Sequence, residues 1–233
     1  MSAIAENIKK LEEEKAAAAG RVGRNPSEIL LCAVTKTHPP AAINEAIDAG
    51  VTDIGENKVQ EILDKYDKVK KVRWHMIGHL QTNKVKYIID KVCMIHSVES
   101  LKLAREIDRR AARHGVNMDI LLEVNTAADE AKYGVAPEDA ESLIRQILEE
   151  CPHVRIRGLM TIAPYVEDPE EVRPFFRETK QLYDKLSGID HPHLDFTCLS
   201  MGMSNDRVIA VEEGSTLIRV GSAIFGARDY HRT

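Results

Sequence analysis

The sequence predicts an α/β protein in which a single TIM barrel, a closed (β/α)8 barrel, carries an extra helix at its N-terminus. Short apolar segments alternate with amphipathic helical segments along the chain of 233 residues. Such alternation is typical of parallel strands joined by helices, and eight parallel strands close naturally into a barrel. A doubly wound open sheet is the alternative architecture that the same alternation allows.

The first predicted element is a helix over residues 2–19. Ile4, Ile8 and Leu11 form its apolar stripe, and Gly20 ends it. Strands are then predicted at residues 29–35, 52–55, 72–77, 92–97, 118–125, 154–162, 194–199 and 216–220. Helices are predicted between them at residues 40–49, 58–69, 83–90, 99–114, 137–150, 169–186 and 206–213, with none after the last strand.

Composition bounds the class of protein. Hydrophobic residues make up 43% and charged residues 30%, and the net charge is −5. This balance offers no basic surface for nucleic acid or an anionic membrane. The four cysteines are widely spaced, which indicates reduced thiols and a cytoplasmic protein, and no signal peptide or membrane span is evident. No linker divides the chain, so residues 1–233 are predicted to form one domain.

Lys36 is the most informative residue, because it directly follows the first predicted strand, at residues 29–35. A lysine amine that is partly desolvated loses its proton more easily than one in water. A neutral amine can attack an aldehyde and form a Schiff base. The alternative is a lysine that extends past the strand end into solvent.

The other unusual residues fall at the same end of the predicted barrel as Lys36. Chemistry in such barrels is carried by the loops that follow the strands. The residues at these positions are Asn57 after the second strand, Ser200 and Met201 after the seventh, and Arg219, Gly221 and Ser222 at the end of the eighth. The sequence therefore predicts one rim that holds all the candidate site residues.

Two of these loops have the composition of a phosphate site. Residues 199–206 form a small, polar, glycine-bearing loop that opens a helix, and such loops present N–H groups to anions. Gly221 and Ser222 would let a phosphate approach the backbone, and barrels commonly bind phosphate after strands seven and eight. The alternative for the first loop is a helix cap formed by Ser204 or Asn205.

Arg219 has the same strand parity as Leu217, so its side chain is predicted to point into the barrel mouth. A buried arginine needs partners, and either a ligand or a structural ion pair would supply them. Asn57 is predicted to face the same mouth or to cap the following helix, and the role of Glu56 stays open.

Two further lysine and histidine patterns carry less weight. His75 and His79 have the spacing of a helical zinc site, but they lie in a predicted strand and turn, which argues against a metal. Lys132 follows the fifth strand and is either a second anion contact or a solvated loop lysine. No catalytic triad, P-loop or carboxylate pair is evident.

Together these segments resemble the YggS/PROSC family of pyridoxal phosphate homeostasis proteins. The resemblance covers nearly the whole chain. Its most specific segments are residues 33–36 (AVTK), 55–57 (GEN), 74–84 (WHMIGHLQTNK), 158–161 (GLMT), 199–204 (LSMGMS) and 219–222 (RVGS).

The resemblance implies a barrel like the N-terminal domain of bacterial alanine racemase. It implies pyridoxal 5′-phosphate held as a Schiff base on Lys36, with Asn57 beside the ring and Arg219 facing the pyridine nitrogen. It implies phosphate binding by the residues after strands seven and eight, namely Ser200, Met201, Gly221 and Ser222. It also implies a role in vitamin B6 homeostasis without catalytic turnover, with apo-enzymes as recipients of the cofactor.

Arg219 supports that interpretation chemically. Pyridoxal phosphate is a strong electron sink when its ring nitrogen is protonated, and a fixed guanidinium opposes that protonation. The leading hypothesis is therefore a monomeric carrier of the cofactor. The alternatives are an amino-acid racemase that uses Tyr165 or Lys132 as a second base, and a class I aldolase that uses Lys36 without a cofactor.

Overall fold

The computed structural model describes residues 2–127 and 133–226. Within them, eight parallel strands pair in sequence order, and the last pairs with the first to close the barrel. The strands are β1 (Leu30–Val34), β2 (Asp53–Glu56), β3 (Arg73–Met76), β4 (Met94–Val98), β5 (Met118–Glu123), β6 (Val154–Met160), β7 (Leu194–Ser200) and β8 (Leu217–Val220). The predicted barrel is confirmed, and the open sheet is excluded.

The helices surround the strands. They are α1 (Ala3–Arg21), α2 (Pro40–Asp48), α3 (Val59–Lys65), α4 (Leu101–His114), α5 (Ala140–Glu150), α6 (Arg173–Leu186), α7 (Arg207–Glu212) and α8 (Ser222–Phe225). The predicted N-terminal helix is confirmed as α1, which begins where Ser2 Oγ accepts a hydrogen bond from the backbone N–H of Ala5. It buries Ile8 and Leu11 and packs against α7 and α8.

Two predicted details are wrong. The segment between β3 and β4 forms a 3-10 helix over Thr82–Tyr87 rather than an α-helix, and Val85 is its buried residue. Only a short connection is needed there, and the tighter 3-10 geometry is typical of such pieces. The end of β8 is also followed by a helix, α8, whose residues Ile224 and Phe225 donate backbone hydrogen bonds to the carbonyl oxygen of Gly221.

The described residues form two hydrophobic cores. The larger lies between the strands and the surrounding helices. The smaller fills the barrel interior and is rich in sulfur, with Cys32, Met94, Leu121, Met160, Cys198 and Leu217 as its buried members. All four cysteines are free thiols. Within the described residues, none of the helices combines the length and apolar character that a membrane-spanning segment requires.

The interior also contains polar side chains. Asp53, His75, His96, Ser200 and Arg219 come from five different strands, and none is more than 4% exposed. Side chains inside a barrel of this size are usually branched and apolar. Because burying a polar group is costly unless it is hydrogen-bonded, these residues must satisfy one another.

Candidate functional site

Lys36 is half-buried and lies two residues after the end of β1, so it follows the first strand as predicted. The backbone around it is held firmly. Thr35 donates a backbone hydrogen bond to the carbonyl oxygen of Gly55 at 3.0 Å, and Thr37 donates one to Glu61 Oε2 at 2.7 Å. Thr37 has a φ of 68°, and it is the only non-glycine residue with a positive φ in the described chain. Such a conformation persists only where neighbouring contacts enforce it.

A second lysine provides much of that enforcement. Lys65, at the end of α3, is 8% exposed. Its Nζ donates to the carbonyl oxygen of Thr35 at 3.0 Å, to Glu56 Oε1 at 2.8 Å and to Glu61 Oε2 at 2.7 Å. Thr35 Oγ1 also donates to Glu56 Oε1 at 2.7 Å. This buried cluster fixes the backbone on both sides of Lys36.

The cluster settles the role of Glu56, which the sequence left open. Its carboxylate is fully buried and pairs with Lys65. Burial raises the pKa of Glu56, and the hydrogen bond from Lys65 offsets part of that rise. Glu56 therefore supports the loop after β1. Lys65 could not be identified from the sequence, because a lysine on a helix normally extends into solvent.

Arg219 lies inside the barrel, as strand parity predicted, and is 4% exposed. Its Nη1 donates to the carbonyl oxygen of Ser200 at 2.9 Å and to Ser200 Oγ at 2.5 Å. Its Nη2 donates to the carbonyl oxygen of Thr161 at 2.9 Å. Burial lowers the pKa of Arg219, but a guanidinium remains charged in proteins. A fixed positive charge is thus held within the barrel near the ends of β6 and β7.

Ser200 and Met201 have different surroundings from those that the resemblance implies. The Ser200 hydroxyl is fully buried and contacts Arg219 and His96. The backbone N–H of Met201 donates to the carbonyl oxygen of Leu217 at 3.2 Å. Both groups are therefore already engaged within the barrel wall.

The loop after β7 makes a tight turn at Gly202, which has a φ of 92°. A Cβ at this position would lie 2.4 Å from Ala210 Cβ, so only glycine fits. The N-cap position of α7 is Asp206, which makes no side-chain cap hydrogen bond to the helix. Its Oδ1 instead accepts a hydrogen bond from the backbone N–H of Met203 at 2.5 Å. The alternative cap by Ser204 or Asn205 is wrong, and this leaves both residues facing a cavity.

That cavity has a volume of ≈ 370 Å³ and lies between the loops after β6 and β7 and the end of β8. Ser204, Asn205 and Ser222 supply polar groups to its wall, while Tyr165 and Met203 are among the apolar ones. Ser204 belongs to the small, polar loop that the sequence predicted as an anion contact, with a helix cap as the alternative, and the structure places it at the wall of this cavity.

The ends of β8 and β1 meet directly. A Cβ on Gly221 would lie 3.2 Å from the carbonyl oxygen of Val34, two residues before Lys36. On the other side, Asn57 follows β2, is half-buried and lines a second cavity of ≈ 580 Å³. Asn57 does not cap α3, whose N-cap is Lys58. Gly221, Lys36 and Asn57 therefore follow three neighbouring strands, β8, β1 and β2.

The histidines of the β3 segment have separate environments. His75 points into the barrel, and its Nε2 lies 2.7 Å from Asp53 Oδ1. His79 stacks on Tyr133 with ring centroids 3.8 Å apart, and its Nδ1 lies 3.4 Å from Glu99 Oε1. The two rings therefore do not form the helical zinc pair.

A different group of donors surrounds His75. Ligand atoms of Asp53, His75 and Cys93 lie within 4.8 Å of one another, and these residue types can bind transition metals. In this structure they are already paired, because Asp53 Oδ1 contacts both His75 Nε2 and Arg73 Nε, the latter at 3.3 Å. Hydrogen bonds and an ion pair account for the group. Lys132, the other residue left open, lies outside the described residues.

His96 was not singled out from the sequence, although it occupies an inward position of β4. Its Nε2 lies 2.9 Å from His75 Nδ1, and its Nδ1 lies 3.1 Å from Ser200 Oγ. Burial lowers the pKa of His96 well below its ordinary value. Burial also opposes a charge on His75, but hydrogen bonds to Asp53 and Cys93 raise its pKa. His96 is therefore a neutral ring between His75 and the rim.

A protein-family comparison identifies the class of barrel to which the chain belongs. Residues 1–229 match the family model of the alanine racemase N-terminal domain, so the chain belongs to this class of barrel. The pyridoxal phosphate homeostasis protein of Aquifex aeolicus is 44% identical over 97% of this chain and 98% of its own length. Its counterpart in Escherichia coli K12 is 38% identical over the full length of both chains. The chain belongs to the family of pyridoxal phosphate homeostasis proteins.

Solved structures agree with this placement. PipY of Synechococcus elongatus, a COG0325 family member solved with PLP bound, superposes with a TM-score of 0.83 and 37% identity, over 96% of this chain and 100% of that one. Alanine racemase from Corynebacterium glutamicum gives a TM-score of 0.68 at 16% identity, over 99% of this chain and 62% of that one. The racemase shares the fold alone.

Proposed function

We propose that this protein binds pyridoxal 5′-phosphate covalently through Lys36 and serves pyridoxal phosphate homeostasis as a carrier without catalytic turnover. The observation that carries the proposal is the fixed, half-buried position of Lys36 between Gly221 and Asn57. The relatives that match the chain along its length are named pyridoxal phosphate homeostasis proteins, and PipY was solved with PLP bound.

The residues on this rim fit the chemistry of that cofactor. Pyridoxal phosphate offers an aldehyde, a ring nitrogen and a phosphate, and it supplies an electrophilic carbon that a neutral amine can bond. Lys36 is the amine, and Arg219 is the positive group for the ring nitrogen. Asn57 is the polar neighbour for the ring edge. The small residues after β7 and β8 leave room for an anion.

For the phosphate, we propose that Ser222 and the backbone at Gly221 make direct contacts. Ser204 is a further candidate, because it lines the cavity between these loops. Ser200 and Met201 support the phosphate site indirectly. The Ser200 hydroxyl already accepts a hydrogen bond from Arg219, and the Met201 N–H already donates one to the carbonyl oxygen of Leu217. In this arrangement Ser200 acts by orienting Arg219.

Arg219 favours a role as a cofactor carrier over a role as an enzyme. The strong electron-sink chemistry of pyridoxal phosphate requires a protonated ring nitrogen, which a neighbouring guanidinium opposes. Arg219 is held by three hydrogen bonds and cannot act as a proton acceptor. The racemase alternative also has less support, because racemases resemble this chain only in fold.

We further propose that the chain works as a monomer in the cytoplasm and gives its cofactor to apo-enzymes. The test is a visible absorption spectrum of the protein with pyridoxal phosphate, followed by incubation with an apo-enzyme that requires it. Wild type and Lys58→Ala, which removes an exposed lysine beside the same rim, are expected to show a bound chromophore and transfer it.

Lys36→Ala should show no bound chromophore in the same experiment. A chromophore of unchanged intensity in Lys36→Ala would contradict the proposed attachment. Binding by wild type without any transfer would contradict the carrier role. Repeated exchange of the Cα proton of an amino acid with solvent deuterium would instead support the racemase alternative.

A further inference from the structure

A continuous line of hydrogen-bonded side chains crosses the barrel interior. Asp53 Oδ1 lies 2.7 Å from His75 Nε2, and His75 Nδ1 lies 2.9 Å from His96 Nε2. His96 Nδ1 lies 3.1 Å from Ser200 Oγ, which accepts from Arg219 Nη1 at 2.5 Å. All five residues are at most 4% exposed. The line joins the start of β2 to the rim that carries Lys36.

The two ends of this line fix its direction. Arg219 can only donate hydrogen bonds, and an ionised carboxylate can only accept them. Asp53 is ionised at neutral pH: burial alone would raise its pKa, but hydrogen bonds from His75 and Thr52 lower it. Arg73 Nε, 3.3 Å away, also favours the carboxylate. When both rings are neutral, each group between the ends then accepts from the Arg219 side and donates toward Asp53.

This direction specifies the proton positions on both rings. Ser200 donates its hydroxyl proton to His96 Nδ1, and His96 donates from Nε2 to His75 Nδ1. His75 then donates from Nε2 to Asp53. With both rings neutral, the reverse direction would set a lone pair of His75 Nε2 against the carboxylate of Asp53, at the 2.7 Å contact.

We propose that Asp53, His75 and His96 are positioning residues that hold Arg219 and Ser200 in one orientation for the cofactor, with both histidines as neutral Nε2–H tautomers at pH 8. This inference rests on the proposed function. The line holds the guanidinium on one side of the barrel and directs the Ser200 proton inward to His96, away from the phosphate loops. Deleting the middle of the line leaves Ser200 and His75 with unpaired groups in a buried setting, which is costly.

The first test needs no cofactor. Nitrogen-15 NMR of histidine side chains in the wild-type protein at pH 8 reports which ring nitrogen carries a proton. His96→Gln identifies the His96 signals by their loss. The expected result is Nε2–H and an unprotonated Nδ1 for both His75 and His96. A proton on Nδ1 of either ring would overturn the inference.

The second test measures retention of pyridoxal phosphate. His96→Leu removes both links and is expected to weaken binding about tenfold, the equivalent of one lost buried hydrogen bond. His96→Gln can donate to His75 and accept from Ser200, so it should retain most of the affinity. His114→Leu, a change at an exposed histidine at the end of α4, should have no effect.

The outcomes separate the two proposals. If wild type does not bind the cofactor, the proposed function fails, while the NMR result still decides the tautomers. If wild type binds and His96→Leu binds equally well, the positioning role is overturned. Circular dichroism checks that each variant folds. If His96→Leu does not fold, His96→Gln decides the outcome. A loss of affinity in His96→Gln as large as that of Lys36→Ala would then overturn the prediction that glutamine replaces the histidine hydrogen bonds.

Discussion

Lys65 Nζ lies 3.0 Å from the carbonyl oxygen of Thr35, the residue that precedes Lys36. Two lysines, Lys36 and Lys65, therefore lie at the end of β1 and have different roles. Lys65 is buried and bonded to two carboxylates, so it is a structural cation. Lys36 continues onto the rim on the backbone that Lys65 holds. In our proposal, the amine that bonds the cofactor therefore depends on a second amine with a structural role.

Lys65→Met should destabilise the protein by about 3–5 kcal/mol, because removing one partner leaves the Glu56 carboxylate buried without its counter-charge. Urea unfolding measures the free energy. Lys68→Met, at an exposed neighbouring lysine, should leave it unchanged. The double variant Lys65→Met/Glu56→Gln should recover part of the loss. A Lys65→Met protein as stable as wild type would show that the pair does not support the loop.

Gly202→Ala should disrupt the packing of the loop after β7 against α7. The new Cβ would lie 2.4 Å from Ala210 Cβ, in addition to the conformational cost of a φ of 92°. Gly50→Ala is the matched control, because its φ of 104° carries a similar cost but no atom lies within 4 Å. The control should lose about 1–2 kcal/mol.

Gly202→Ala should lose about 1–3 kcal/mol more than this control, because a crowded site adds strain. It should also bind pyridoxal phosphate more weakly, whereas Gly50→Ala should bind normally. Thermal unfolding and cofactor titration measure the two effects. Equal losses in both variants would mean that the loop adjusts freely around the added methyl group.

Glu123→Gln should change how stability depends on pH. Glu123 ends β5 and is buried, and its Oε2 has no hydrogen-bond partner within the described structure. Burial and nearby Glu99 raise its pKa from 4.5 to about 7, with Arg219 opposing the rise. A raised pKa stabilises the folded state at low pH, and this contribution disappears as pH rises through about 7.

The variant should therefore be more stable than wild type at pH 8, by at most about 3 kcal/mol, and similar to it at pH 4.5. Urea unfolding at several pH values provides the measurement. Glu138→Gln, at an exposed carboxylate, should follow the wild-type curve. A constant difference between Glu123→Gln and wild type at every pH would exclude a raised pKa as the cause.

Much of the fold could be predicted because the apolar segments are short and regularly spaced. Each strand has an inward and an outward face, so parity alone placed Arg219 inside the barrel. The position of Lys36 after β1 followed from the strand that precedes it. The sequence pattern did not predict the type of helix at Thr82–Tyr87, because the i, i+3 spacing of apolar residues suits a 3-10 helix as well as an α-helix.

The supporting contacts could not be predicted, because they join residues far apart in sequence. Asp53, His75 and His96 look like isolated polar residues in three strands until barrel closure and register place them in one line with Ser200. Lys65 gives no local sign of burial. The positive φ of Thr37 is likewise a result of its bond to Glu61 rather than of its own sequence preference.

In our proposal, the Lys36 amine holds the cofactor. Borohydride reduction of the protein mixed with pyridoxal phosphate, followed by proteolysis and mass spectrometry, locates the attachment directly. We expect one stoichiometric pyridoxyl phosphate adduct, on the peptide that contains Lys36. An adduct confined to another lysine, or a Lys36 peptide that stays unmodified at saturating cofactor, would contradict it.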